Sequence, residues 1–125
     1  MDCACIYVDD YDHPDFYRSE DRKAIKQHKC CECGKEISVG EIYEHAAGKW
    51  DGVFECFKTC SVCLDLRSVF FCNGFEFTFL REKLWEHILD SDGQISSDCI
   101  LDLEPESRSI VFDMIQEAWK DHDED

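Results

Sequence analysis

The chain has 125 residues, 44% of them hydrophobic and 13% aromatic, which suits one ordinary domain with a modest core and leaves a second independent domain cramped. Its formal net charge of −16 sets the molecule as a whole against nucleic-acid phosphates and anionic membrane surfaces. No apolar run of about 18 residues is present, and Met1-Asp2-Cys3-Ala4-Cys5 lacks the basic start and apolar stretch of a secretory signal, so the expected setting is the cytoplasm.

The first 20 residues sum to −5 and include Asp9-Asp10-Tyr11-Asp12-His13-Pro14-Asp15. They show no sustained period and are expected to form an extended acidic arm. A basic stretch, Arg22-Lys23-Ala24-Ile25-Lys26-Gln27-His28-Lys29, then reverses the local charge.

Residues 21–70 are expected to form the next module, in the order turn, strand, turn, strand, helix. Glu41-Ile42-Tyr43-Glu44-His45 and Val53-Phe54-Glu55-Cys56-Phe57 read as the strands of a hairpin joined through Gly48-Lys49-Trp50-Asp51-Gly52. Thr59 is the expected cap of a helix that begins at Cys60, carries Val62, Leu64, Leu66 and Val69 or Phe70, and ends near Asn73-Gly74.

Residues 71–125 read as an acidic helical portion packed on that module. Phe77, Leu80, Leu84 and Ile88, with Trp85 and Leu89 beside them, recur at helical spacing and stop at Asp90-Ser91-Asp92-Gly93. Ser96 or Ser97 opens a short helix through Leu103, and Pro105 opens a last helix whose Ile110, Val111, Met114, Ile115, Ala118 and Trp119 share a face. The acidic tail Asp121 to Asp125 is expected to fray.

The ten cysteines admit a disulfide scaffold or thiolate metal ligands, and the missing secretory signal favours metal. Cys30-Cys31-Glu32-Cys33-Gly34-Lys35 holds one C-x-x-C turn and Cys60-Ser61-Val62-Cys63 a second. Each presents two sulfurs to one ion, and two such pairs complete the four thiolates that tetrahedral Zn²⁺ prefers. The expected ligands are Cys30, Cys33, Cys60 and Cys63, with Cys31 as the alternative to Cys30. Lys29, Lys35 and Lys58 are placed to offset the negative cluster. Four sulfurs leave no position for water or substrate, so the ion is structural, and its binding free energy is also folding free energy. Knuckle, hairpin and a helix bearing the second pair in its first turn is the order of a treble-clef zinc finger. The expected fold is therefore α+β, a treble clef followed by a small helical C-terminal portion. Cys3, Cys5, Cys31, Cys56, Cys72 and Cys99 read first as buried or reduced thiols. A second zinc held among Cys3, Cys5, Cys31, His28 and Cys72 is the sharper alternative.

Across His28 to Ile37, Gly40 to Glu44, Gly48 to Gly52 and Phe57 to Arg67, the chain resembles small uncharacterised zinc-binding proteins of bacteriophages and prophages. The likeness covers roughly residues 16–70 and implies a bacterial host cell. Cys3-Ala4-Cys5 is not matched to that family, which carries no established activity.

Three function classes follow. A treble-clef nuclease needs further His or Asn ligands after Cys63, where this helix has none; His45 is the hairpin's sole histidine, and other catalytic signatures are missing, so no enzyme is expected. A nucleic-acid-binding finger would use the 22–29 stretch with Lys35, Lys49, Lys58 and a stacking Trp50. The favoured class is a non-enzymatic protein-interaction module that binds and inhibits or modulates a host nucleic-acid-handling complex, as a DNA mimic or an anti-CRISPR-like inhibitor would. Residues 69–125 sum to −11, and Glu82, Glu86, Asp90, Asp102, Glu106, Asp113 and Glu117 are the candidates to meet a partner's basic surface.

Overall fold

Asp51 and Gly52 have φ of 49° and 82°, the left-handed pair of a two-residue hairpin turn whose twist matches that of the flanking strands. A computed structural model describes residues 6, 16–71, 75 and 77–123, excluding the side chains of 121–123. The expectations for the remainder of the arm, for Cys3, Cys5 and Cys72, for a helix end at Asn73-Gly74 and for the side chains of the acidic tail lie outside the described residues.

The strands around the turn are longer than the sequence suggests. β1 spans Phe16–Lys23, β2 His28–Lys29, β3 Glu36–Ile37, β4 Ile42–Trp50 and β5 Val53–Cys60. β4 is the centre of an antiparallel sheet ordered β1-β4-β5, while β2 and β3 form a separate two-stranded ladder. Residues 16–20, expected within the arm, are instead the first five of the eight residues of an edge strand running from Phe16 opposite Lys49 to Lys23 opposite Ile42. A period-two pattern of charged residues conceals a strand when neither face is apolar.

Gly48 lies within β4, not in the turn. A Cβ there would sit 2.6 Å from the Trp50 ring and 2.7 Å from the Phe16 carbonyl oxygen, so the missing side chain lets β1 and the indole close over the strand. Gly48→Ala is expected to destabilise the fold by about 1–3 kcal/mol through overpacking, read as a lowered denaturation midpoint at unchanged slope.

The helices are α1 (Ser61–Phe70), α2 (Leu80–Asp90), α3 (Ser97–Asp102) and α4 (Pro105–Asp123). The cap of α1 is Cys60, whose sulfur accepts from the Cys63 N–H, and not the expected Thr59, which is fully buried in β5. α2 starts three residues after Phe77, leaving that ring free to stack on the sheet; Leu80, Leu84 and Ile88 are its buried stripe and Leu89 is exposed. Ser96 caps α3 through the Asp98 N–H. In α4 the buried residues Val111, Ile115 and Ala118 face the core, while Trp119 is 51% exposed and donates to the Asp92 carbonyl at 3.0 Å.

One core joins these parts. Ile37, Tyr43, Leu66, Phe70, Leu80, Leu84, Leu103 and Val111 belong to a single buried cluster that also holds Cys30, Cys60 and Cys63. Side-chain hydrogen bonds pin the helices together: Asp65 accepts from the Glu104 N–H at 2.8 Å, and Arg108 donates to the carbonyls of Ile100 and Leu103 at the end of α3. No described helix is long and apolar enough to cross a membrane.

Candidate metal centre

The chain reverses at Cys30 to Lys35, where Gly34 at φ 74° donates to the Cys30 carbonyl at 3.0 Å and Cys30 donates to the Lys35 carbonyl at 2.9 Å. This turn aims Cys30 and Cys33 to one side. A bond from Cys31 N–H to the Lys58 carbonyl, 2.8 Å, holds the turn against the end of β5, where Cys60 and the first turn of α1 begin. Cys30, Cys33, Cys60 and Cys63 meet there, with every pair of sulfurs within 4.8 Å. Three are buried and Cys33 is half-buried.

The dimensions suit a metal such as zinc. Bonds of about 2.3 Å to a tetrahedral ion place sulfurs about 3.8 Å apart. Cys33 and Cys60 lie 3.8 Å apart. Backbone N–H groups supply the surrounding donors: Glu32 and Cys60 each point at the Cys30 sulfur at 3.4 Å, and Cys63 points at the Cys60 sulfur at 3.5 Å. Cys60 and Cys63 also sit at the N-terminus of α1, which has no acidic residue in its first turn, so the helix dipole favours thiolate there.

The thiols of the cluster are interdependent. Cys30 is held far below the ordinary thiol range because Cys60 and Cys63 hydrogen-bond to it. Cys60 is pushed up to about 11, first by its bond to Cys30, and Cys63 is pushed up by its bonds to Cys30 and Cys60. A divalent cation bound among the four sulfurs would take them as thiolates, with release of protons.

The other candidate ligands go elsewhere. Cys31 lies beside Thr59 Oγ1 at 3.6 Å and Glu32 Oε2 at 3.7 Å, and burial pushes its thiol up to about 12. His28 packs its ring on Tyr43 with centroids 5.1 Å apart. Neither joins the four-cysteine cluster, and no second group of metal-binding side chains occurs among the described residues. Cys56 is exposed, and Cys99, buried as a core residue, is disulfide-bonded, which corrects the expectation of a reduced thiol there. Of the lysines read as charge partners, Lys35 reaches away to Glu106 on α4 at 2.9 Å.

Two connections around the centre escape a reading of the sequence. Glu32, inside the first C-x-x-C, accepts from the N–H groups of Thr78 at 3.0 Å and Leu80 at 3.1 Å, so the knuckle holds the start of α2. Burial pushes that carboxyl above its ordinary range. Arg67, one turn after Cys63, pairs both of its terminal nitrogens with the two carboxylate oxygens of Glu44, at 3.0 and 2.6 Å, and lies 4.1 Å over the Phe75 ring.

The seven candidate partner-binding carboxylates are all exposed. Glu82, Glu86 and Asp90 recur every four residues along α2, and Glu106, Asp113 and Glu117 at seven and four along α4, so each set forms a row. Glu86 and Glu117 have local ion pairs with Lys83 and Lys120. Trp50, the candidate stacking residue, is taken up in an aromatic cluster with Tyr17, Phe57 and Phe77. Comparisons with protein-family models, curated proteins and solved structures each gave no match.

Proposed function

We propose that the protein is a non-enzymatic interaction module, built on a treble clef closed by one structural zinc ion, that presents an acidic helical surface to a basic protein handling nucleic acid. The observation that carries this reading is the pair of exposed carboxylate rows on α2 and α4, helices that share a core with the cysteine cluster. Zinc is favoured because four cysteine sulfurs within 4.8 Å of one another suit it and would close the coordination sphere, which gives the ion a folding role. The order knuckle, hairpin, helix supports the treble clef. The resemblance to phage and prophage proteins supports a host complex as the target, with inhibition by occupation of a nucleic-acid channel, as in a DNA mimic or an anti-CRISPR-like inhibitor. The setting would then be the bacterial cytoplasm.

Capture of partners by tagged protein from a nuclease-treated bacterial lysate tests this reading. The expected result is a basic, nucleic-acid-binding protein held at low salt, released by high salt or competing DNA. A variant with Glu82→Gln, Glu86→Gln, Asp113→Asn and Glu117→Gln should capture at least tenfold less of it. Partner binding that ignores both salt and these substitutions would sink the acidic-surface account.

A further inference from the structure

Side chains alternate across the two faces of a strand, so the register of β1, β4 and β5 sorts their residues. One face carries Tyr17, Glu44, Ala46, Trp50, Phe57 and Thr59, and its middle is covered: Ala46 and Thr59 are fully buried, Phe77 stacks on Phe57 with ring centroids 4.3 Å apart, and Arg67 of α1 grips Glu44. The other carries Phe16, Arg18, Glu20 and Arg22 from β1, Tyr43, His45, Ala47 and Lys49 from β4, and Phe54, Cys56, Lys58 and Cys60 from β5; Tyr43 and Cys60, at one end, turn into the core, and the stretch beyond them is open, with His45, Lys49 and Lys58 half-buried. Arg18 and Arg22 are exposed, as are Phe16 at 55% and Phe54 at 74%.

Within a chain of net charge −16, this open face holds a local excess of positive charge. Its acid among the paired positions, Glu20, is bonded to Arg22 at 2.7 Å. The charges lie close enough to act on one another: His45 is shifted down first by burial and then by Arg22 and Lys58. Lys49 lies 5.4 Å from the centre of the Phe54 ring, so cation and aromatic surface are interleaved. Exposed rings among cations on an antiparallel sheet are what an unpaired polynucleotide requires, the rings stacking on bases and the cations meeting phosphates.

We propose that this open sheet face, through Arg18, Arg22, His45, Lys58, Phe16 and Phe54, binds single-stranded nucleic acid. The site is separate from the acidic helices. The charge separation lets the molecule hold a basic protein on its helical side and a single strand on its sheet side. A duplex offers no free base faces to Phe16 and Phe54 and is the poorer ligand.

The test is fluorescence anisotropy of labelled twelve-nucleotide oligothymidine and oligouridine, a matching duplex, and heparin, titrated with the intact metal-loaded chain at low and moderate salt. The expected result is salt-dependent binding of the single strands, tighter than of duplex. Phe54→Ala should weaken it about tenfold and Arg18→Glu with Lys58→Glu by more than that. These side chains lie on an open face, and circular dichroism with thermal unfolding checks that the variants keep the fold. As a separate control, Glu82→Gln with Glu117→Gln should leave single-strand binding undiminished. No binding at low salt by folded protein, equal binding of heparin and single strands with no effect of Phe54→Ala, or indifference to the charge reversals would each overturn the proposal.

Discussion

Cys63→Ser is expected to abolish stoichiometric metal binding and to bring the folded state close to the threshold of unfolding. Cys63 is 0% exposed, sits in the first turn of α1 and belongs to the core cluster, so its loss removes a thiolate and leaves a buried hydroxyl in its place. Structural zinc in small domains contributes about 10–16 kcal/mol of binding free energy near neutral pH, comparable with or larger than the total stability of about 5–15 kcal/mol typical of a domain. The consequences spread through named contacts. Without an ion in the cluster the turn at Cys30 to Lys35 should loosen, and with it the hold of Glu32 on the start of α2. Excess chelator on the unaltered protein should act in the same direction. So should acid, because the ligand sulfurs bind as thiolates and protons compete for them as the pH falls. Cys31→Ser is the contrast. Its sulfur faces Thr59 outside the cluster, so the variant should keep one equivalent of metal and lose only about 1 kcal/mol. Bound metal by mass spectrometry and thermal unfolding with and without chelator read both variants. A Cys63→Ser protein that keeps one equivalent of metal and melts within a few degrees of the parent would refute the assignment.

Arg67→Ala should produce the next largest effect, a loss of about 3–5 kcal/mol, because it strands the Glu44 carboxylate in a nearly dry site. The two side chains are 14% and 12% exposed. The guanidinium also covers the Phe75 ring, so truncation removes packing as well as charge. A paired replacement, Arg67→Met with Glu44→Leu, removes both ends of the ion pair and should recover most of the loss. Denaturant unfolding of Arg67→Ala and of the double variant separates these contributions. If Arg67→Ala costs less than about 1 kcal/mol, the pair acts as an exposed surface bridge does.

The parts of this molecule that local patterning governs were readable in the sequence. Two C-x-x-C turns, the reversal expected within Gly48 to Gly52, which the structure narrows to Asp51-Gly52, and Pro105 at the head of the last helix each act over a few residues, and the structure has a cysteine cluster, a hairpin and a helix in those places. What escaped was set by pairing over distance. β1 has no apolar face, and its identity as a strand comes only from β4, so residues 16–20 read as an arm. The open basic face escaped for the same reason. Arg18 and Arg22 are brought to His45 and Lys58 by the register, although the period-two runs Arg18-x-Glu20-x-Arg22 and Phe54-x-Cys56-x-Lys58 were the available signal. The neighbours of Trp50 were equally hidden, because parity within the hairpin decides its face and sets it beside Phe57. The Glu32 link to α2 and the Arg67 to Glu44 pair span 48 and 23 positions and have no local signature.

The central claim is that one zinc ion, bound by four cysteine sulfurs, holds this fold together. X-ray absorption at the zinc edge on purified, metal-loaded protein tests it most directly. The prediction is one zinc per chain with four sulfur neighbours at about 2.3 Å and no oxygen or nitrogen ligand. A coordination sphere with fewer than four sulfurs, or protein that stays folded and metal-free, would contradict it.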